Sequence, residues 1–413
     1  MNSKQPWNRL DNAAKVFPAA SSVLDPRVFR CACELYDEVT PQLLQEALDE
    51  TMGEFPYFRS TIKKGLFWYY LEESNLSAEV AEEQRLPCSP IYSRDRHTLL
   101  IAVNYHRNRI NLEIFHALTD GTGGLRFFQR LLMAYLHRRY LSVHGQLHAT
   151  HYQRDQIIQD GYSKYYSKVR PGRRKKRSAF QLKGERNEQF RFGMITCHLS
   201  ARALLSLAKE KEATMTELLA VYLMEAIHGR MSVMEEQYPV VLSIPVDLRR
   251  YFPTDSMRNF FGVILVGHDF SAQGQSFGDI LANVKAQFSQ QLSEQAVRER
   301  MSLMTSIEKN WVAKAIPLVL KSPGLRMGNS LFDRSFTAGL SNVGELTMPP
   351  GYAPYVRLFD VFSSTKKLDV CLCSYQDTVS ISFTSSFAAM DIQQRMIGAL
   401  SRLGLDVTVD SNV

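Results

Sequence analysis

Residues 28–36, Val-Phe-Arg-Cys-Ala-Cys-Glu-Leu-Tyr, form an apolar-rich run that reads as a strand, with Cys31 and Cys33 on one face of the sheet. Thr40 follows as a helix N-cap and Pro41 as a first-turn residue. Leu44, Ala47, Leu48 and Met52 then recur at helical spacing as far as Gly53. Residues 58–62 and 66–71 read as a hairpin turned at Lys63-Lys64-Gly65. A second hairpin joins residues 99–105 to 110–115 through Arg107-Asn108, with Ile110, Leu112 and Ile114 on one face. His116 continues that parity, so it is expected to leave the strand on the buried side, and Phe115 on the other. The chain next turns through Asp120-Gly121-Thr122-Gly123-Gly124. Leu125, Phe128, Leu132 and Leu136 then predict a helix over about 125–140.

The periodicity fades between about 141 and 188, where polar, glycine and basic residues dominate, and this stretch reads as a connection between two halves. Strands are expected again at 190–199, 240–246, 260–266, 336–340, 356–362, 370–375 and 379–383. Ser200 and Thr216 are read as helix N-caps, and helices are expected over about 277–319 and 391–403. Strands and helices mix in each half, which predicts an α/β or α+β layered architecture. The expected division is an N-terminal lobe at 1–150, a connection at 151–187 and a C-terminal lobe at 188–413.

Composition narrows the class. The 413 residues are 45% hydrophobic and 22% charged, enough apolar material to fill more than one core. No run approaches the 18 apolar residues of a membrane span; the nearest, at 311–320, contains Lys314 and Pro317. The first residues lack an apolar signal core, so a cytoplasmic location is expected. The formal charge of +7 resides in one window. Residues 168–177 hold seven basic and no acidic side chains, and the rest of the chain has 42 of each sign. That distribution argues against an extended nucleic-acid surface. Among Cys31, Cys33, Cys88, Cys197, Cys371 and Cys373, two pairs have C-x-C spacing inside strand-like runs rather than zinc-site spacing, and all six are expected reduced and mostly buried. His137, His144, His148 and His151 lie in or beside the polar connection and form no H-E-x-x-H arrangement, so no metal is expected.

His116 carries the candidate chemistry. An imidazole at a strand end titrates near neutrality and can take a proton from an attacking hydroxyl or amine. Read without further context, the same residues would fit a surface histidine beside a helix-capping aspartate. The segment Phe115-His116-Ala117-Leu118-Thr119-Asp120-Gly121 resembles the HHxxxDG motif of the chloramphenicol-acetyltransferase-like acyltransferases, a group that includes condensation domains, plant BAHD acyltransferases and alcohol acetyltransferases. The alcohol acetyltransferases are the nearest in pattern. Other segments match in order: Arg9 to Lys15 at the opening, Pro245 to Pro253, Met257-Arg258-Asn259-Phe260-Phe261-Gly262, and Ser341-Asn342-Val343-Gly344. Phe115 stands where the motif's first histidine would be.

The resemblance implies two similar lobes with a tunnel between them and His116 as general base. It makes Asp120 and Gly121 structural, with Asp120 paired to an arginine of the other half, Arg249 or alternatively Arg250. Ser341 and Asn342 are implied as oxyanion donors or as residues that shape a loop. The 257–262 segment is read as scaffold. The expected reaction is direct transfer from an acyl-CoA co-substrate to a small alcohol or amine, with no bound cofactor and a monomeric protein. An acyl carrier protein is the alternative donor, which would make the chain a freestanding condensation-type enzyme. A catalytically silent binding protein of the same fold is the other alternative. The basic run at 168–177 would attract an anionic donor or remain a solvated loop.

Overall fold

The computed structural model describes residues 6–141, 154–167, 178–188, 191–309 and 316–412. His144, His148, His151 and the 168–177 run lie outside them, as does part of the 311–320 stretch. Among the described residues no helix is long and apolar enough to cross a membrane.

Two larger sheets organise the chain. The first has five strands in the order Val356–Ser363, Val28–Leu35, Arg109–Phe115, Ile101–His106 and Val80–Glu82. The second has seven: Phe261–His268, Val240–Asp247, Ala338–Leu346, Leu368–Tyr375, Thr378–Ser385, Gly193–Ser200 and Thr408–Ser411. It is mixed, because Ala338–Leu346 runs parallel to both of its neighbours. A small antiparallel sheet joins Trp7–Arg9, Tyr69–Glu73 and Ser60–Lys64. The expected α/β layering holds: helices Pro41–Glu54 and Gly121–Leu136 pack with the five-stranded sheet, and helices Met215–His228, Phe277–Gln291 and Asp391–Arg402 with the seven-stranded one.

One strand crosses the expected division of the chain. Val356–Ser363 follows residue 188 in sequence yet pairs antiparallel with Val28–Leu35. Without it Val28–Leu35 would be an open edge. Its crossing also buries Cys371, Cys373 and Tyr375 of the neighbouring sheet in the first core.

Several local expectations shift. The Gly121–Leu136 helix starts four residues early, because Asp120 caps it. The helix expected from Thr216 begins at Met215 instead. Thr214 is its N-cap, and Glu217 closes a reciprocal capping box. The long helical stretch from 277 is broken into Phe277–Gln291, Glu294–Lys309 and Leu318–Asp333. The strand expected at 336–340 runs Ala338–Leu346, so Ser341 and Asn342 belong to a strand, beside a register shift at Asn342/Gly344. Arg109–Phe115 is buried on both faces rather than one: Glu113 accepts from Arg30 and from Cys88 N, and Asn111 donates to Asn104.

The crossing strand is fixed by a buried charge. Asp360, fully enclosed, accepts a 2.9 Å hydrogen bond from His198 Nε2 and bonds to Arg109. Burial alone would raise its carboxyl. The His198 hydrogen bond and the Arg109 charge outweigh burial and hold it below its ordinary value. A depressed carboxylate stabilises the fold above the unfolded-chain pKa of about 3.9, and that contribution disappears as pH falls below it. Asp360→Asn should therefore lower stability by about 3 kcal/mol at pH 7. Chemical denaturation as a function of pH checks this, and the difference from wild type should shrink below about pH 4.

Candidate active site

The Arg109–Phe115 strand carries His116 out of the sheet, and the ladder continues one residue further. His116 N donates to Arg27 O at 2.8 Å, just before Val28 opens the neighbouring strand. Phe115 turns the other way and stacks on Tyr92 in the core. Three aromatic rings surround the half-buried imidazole: Phe17 at 5.0 Å, Phe29 at 5.2 Å and Phe261 at 5.4 Å between centroids. Phe17 and Phe29 come from the first half of the chain, Phe261 from the second. Burial lowers the pKa of His116 from 6.5, and the Arg27 charge adds to the effect. A hydrogen bond to its own backbone carbonyl, the Asp120 charge and Asn259 act in the opposite direction. The net result is a neutral imidazole at physiological pH.

The contact with Asn259 decides which ring nitrogen is basic. His116 Nδ1 lies 3.0 Å from Asn259 Oδ1. The other end of that amide is committed, because Asn259 Nδ2 and the Asn259 backbone N both donate to Asp11 Oδ2 at 3.2 Å. With its NH2 facing a carboxylate, the amide presents only its oxygen to the histidine. Nδ1 must then carry the proton, and Nε2 keeps its lone pair. Asp11 is fully buried, and desolvation raises its carboxyl to about 6 against the opposing Arg258 charge. Its Oδ2 accepts from both Asn259 N–H groups, as the arrangement requires. Asp11 Oδ1 also accepts from Ala14 N at 2.8 Å, which ties the opening segment to the site.

Asp120 points away from the imidazole and joins the two halves. Its Oδ1 accepts from Gly123 N at 3.0 Å and caps the helix; its Oδ2 accepts from Arg249 Nη1 at 2.8 Å and from Phe260 N at 2.7 Å. Helix capping and interlobe pairing, set against each other in the sequence, occur together on different oxygens. Arg249 is the partner, and Arg250 is exposed. All five N–H groups of the Arg249 guanidinium find acceptors: Asp120, Asp247, Ser256 O twice, and Arg258 O.

The turn interlocks with the second half elsewhere. Thr119 donates to Met257 O, and Thr122 donates to Asp247 at 3.0 Å. Gly123 is the position where a side chain is excluded, since a Cβ would fall 2.3 Å from Met257 O and 2.1 Å from Thr119 Oγ1. Gly121, in the motif itself, has open space around its Cβ position. Ser341 and Asn342 are half-buried on their strand. Asn342 donates to Thr216 Oγ1 at 2.8 Å and accepts from Gly344 N at 2.9 Å. The six cysteines are buried free thiols, and burial pushes Cys31 up to about 12. Among the described residues no three His, Cys, Asp or Glu side chains are placed to share a metal ion.

Sequence reasoning missed Asn259 and Asp11 as parts of the site. Both lie in segments singled out by resemblance, and Asn259 falls in one assigned to scaffold. Their function depends on a contact 143 residues apart and another 248 apart.

No protein-family model matches the chain, and no curated protein matches it in sequence. Solved structures match almost end to end. TRI101 of Fusarium sporotrichioides, complexed with coenzyme A and T-2, aligns over 98% of this chain and 99% of its own, with a TM-score of 0.65 and 11% identity. Polyketide synthase associated protein 5 from Mycobacterium tuberculosis aligns over 97% and 98%, at 0.63 and 13%. The first condensation domain of the calcium-dependent antibiotic synthetase, in complex with a substrate analogue, aligns over 97% of each chain, at 0.63 and 16%. The chain has the two-lobed fold that these solved structures share.

The Asp120–Arg249 geometry sets a stability test. Removing one member strands a buried charge, at a cost of about 3–5 kcal/mol for Asp120→Ala or Arg249→Ala. The double variant should lose less than the sum, with a coupling above about 1 kcal/mol in chemical denaturation. Additive losses would mean the pair does not act as one unit.

Proposed function

We propose that this protein is an acyltransferase that moves an acyl group from an acyl-CoA thioester to a hydroxyl or amine acceptor, with His116 as general base. One observation carries the reading: the Asp11–Asn259–His116 chain leaves a neutral imidazole with its Nε2 lone pair free, beside a turn locked between the two lobes. Such a nitrogen accepts the acceptor's proton as its oxygen or nitrogen attacks the thioester carbonyl. The resulting imidazolium holds Nδ1–H against Asn259 Oδ1, and the Asp120 charge favours it. As the tetrahedral adduct collapses the C–S bond breaks, and the Nε2 proton passes to the departing thiolate. No acyl-enzyme is required.

Asp120 supports this chemistry through position. Both of its oxygens are engaged on Gly123, Arg249 and Phe260, so it takes no part in proton relay. The adduct's oxygen needs a donor. Of the two candidates Asn342 has its amide engaged with Thr216, which makes Ser341 the residue to vary first. We assign the 168–177 basic run to capture of the anionic donor, through an attraction to the CoA phosphates that salt screens.

His116→Ala should fold as the wild type does yet lose kcat by about 10²–10⁴-fold. Release of free thiol from acyl-CoA donors in the presence of alcohols and amines provides the assay. In the wild type kcat/KM should fall on the acid side, with the limb below pH 6.5, because protonated imidazole cannot accept. An unchanged rate in a folded His116→Ala variant would exclude the assignment. Turnover of carrier-bound thioesters with none of CoA thioesters would place the chain among condensation-type enzymes instead.

A further inference from the structure

The Leu318–Asp333 helix lies against the protein along a narrow line and leaves an apolar ridge uncovered. Leu318 is buried, and Leu325 and Asn329 are half-buried on the same side. Leu320, Met327 and Leu331 are 72%, 65% and 60% exposed. At about 100° per residue these three fall within roughly 40° of one another, opposite the buried line. Lys321 and Arg326 occupy the two flanks of the ridge.

A second element extends the surface. The tip of the hairpin between Ser60–Lys64 and Tyr69–Glu73 exposes Leu66 (71%) and Phe67. It is fastened to the start of the helix: Leu318 N donates to Leu66 O at 2.8 Å, Lys321 Nζ donates to Phe67 O at 3.1 Å, and the same ammonium lies 3.4 Å from the Trp68 ring centroid. The hairpin tip therefore adds exposed apolar side chains beside the start of the helix.

Charge says what covers it. Residues 60–68 and 316–332 contain Lys63, Lys64, Lys321 and Arg326 and no aspartate or glutamate. Of the carboxylates that flank these segments in sequence, Glu72 pairs with Lys63 at 3.3 Å and Asp333 with Lys366 at 3.4 Å. Among the described residues Lys321 and Arg326 bond only to backbone carbonyls and the Trp68 ring, so their charges stay unneutralised. An exposed apolar ridge with cations on its flanks is the pattern of a helix lying in the plane of a bilayer surface. The apolar side chains enter the acyl boundary and the cations meet anionic headgroups. An uncovered apolar area on this scale otherwise marks an interaction site.

We propose that the Leu66–Phe67 tip and the Leu320–Met327–Leu331 ridge form a docking surface for an anionic lipid membrane. The surface adjoins the site described above. Arg326, Asn329 and Ser330 of the same helix line a cavity of about 430 Å³ together with Ala19 and Ala20, two and three residues beyond Phe17, whose ring packs on His116. The docking helix is thus joined through this cavity to the segment that bears Phe17, and lipid-dissolved acyl acceptors or donors would be at hand there.

The test uses the full-length protein with two kinds of vesicle, pure phosphatidylcholine and a mixture of phosphatidylcholine with phosphatidylglycerol. Wild type should co-sediment with the mixed vesicles at least tenfold more strongly than with the neutral ones. The triple variant Leu320→Ser, Met327→Ser, Leu331→Ser keeps every lysine and arginine and alters only exposed side chains. It should retain the wild-type melting temperature and bind the mixed vesicles at least tenfold less. Leu66→Ser with Phe67→Ser should act in the same direction. Equal binding by wild type and the triple variant would overturn the proposal, because attraction would then come from basic residues such as the 168–177 run alone. No binding to either vesicle, or capture of a purified acidic carrier protein through the same residues in place of vesicles, would overturn it too. Binding is read without acyl transfer, so the result stands apart from the assignment of His116.

Discussion

Asp120 and Arg249 meet at 2.8 Å in the junction between the two halves of the chain, and both are nearly sealed from water. Neither could remain there alone, since an unpaired buried charge costs several kcal/mol. Arg249 uses its remaining donors on Asp247, Ser256 O and Arg258 O, and Asp120 adds the backbone of Phe260. These contacts fix the backbone on both sides of Asn259. The residue that orients His116 is thereby held by a pair that never touches the imidazole. Gly123 belongs to the same constraint, because only a missing Cβ lets the turn approach Met257 this closely.

The two lobes also interlock away from the site. Val356–Ser363 completes the sheet that carries His116, and Asp360 on that strand reaches Arg109 and His198. The strand bearing His116 is thus paired with Val28–Leu35, which pairs in turn with a strand from the far end of the chain. The general-base role proposed for His116 calls for such rigidity, because its pKa and its hydrogen-bond partner must both persist while substrates come and go.

Much of this was legible in the sequence where the signal is local. The 110–115 alternation placed His116 at a strand end, and Pro41 marked the start of its helix at the first turn. The order of the resembling segments indicated the fold and Arg249 as the partner of Asp120. Other features were not legible because they depend on remote contacts. Thr214 is a different case, a local signal passed over: Glu217 stands three residues on at capping-box spacing, which singles out Thr214 over Thr216 as N-cap. Ser341 and Asn342 read as a loop, yet pairing with Leu368–Tyr375 extends the strand through them. Nothing near Val356–Ser363 announces that its partner is 321 residues or more away. The segment around Asn259 reads as core, and only the placement of Asp11 behind it reveals what its amide does.

Proton acceptance by His116 depends on a proton already resident at its Nδ1. Heteronuclear NMR of protein labelled with ¹⁵N-histidine, assigned by comparison with His116→Ala, reads that tautomer directly at neutral pH. The wild type should show His116 neutral with Nδ1 protonated and Nε2 bare, and Asn259→Ala should lose this preference. A neutral His116 protonated on Nε2 in the wild type, or an imidazolium at pH 7, would contradict the account.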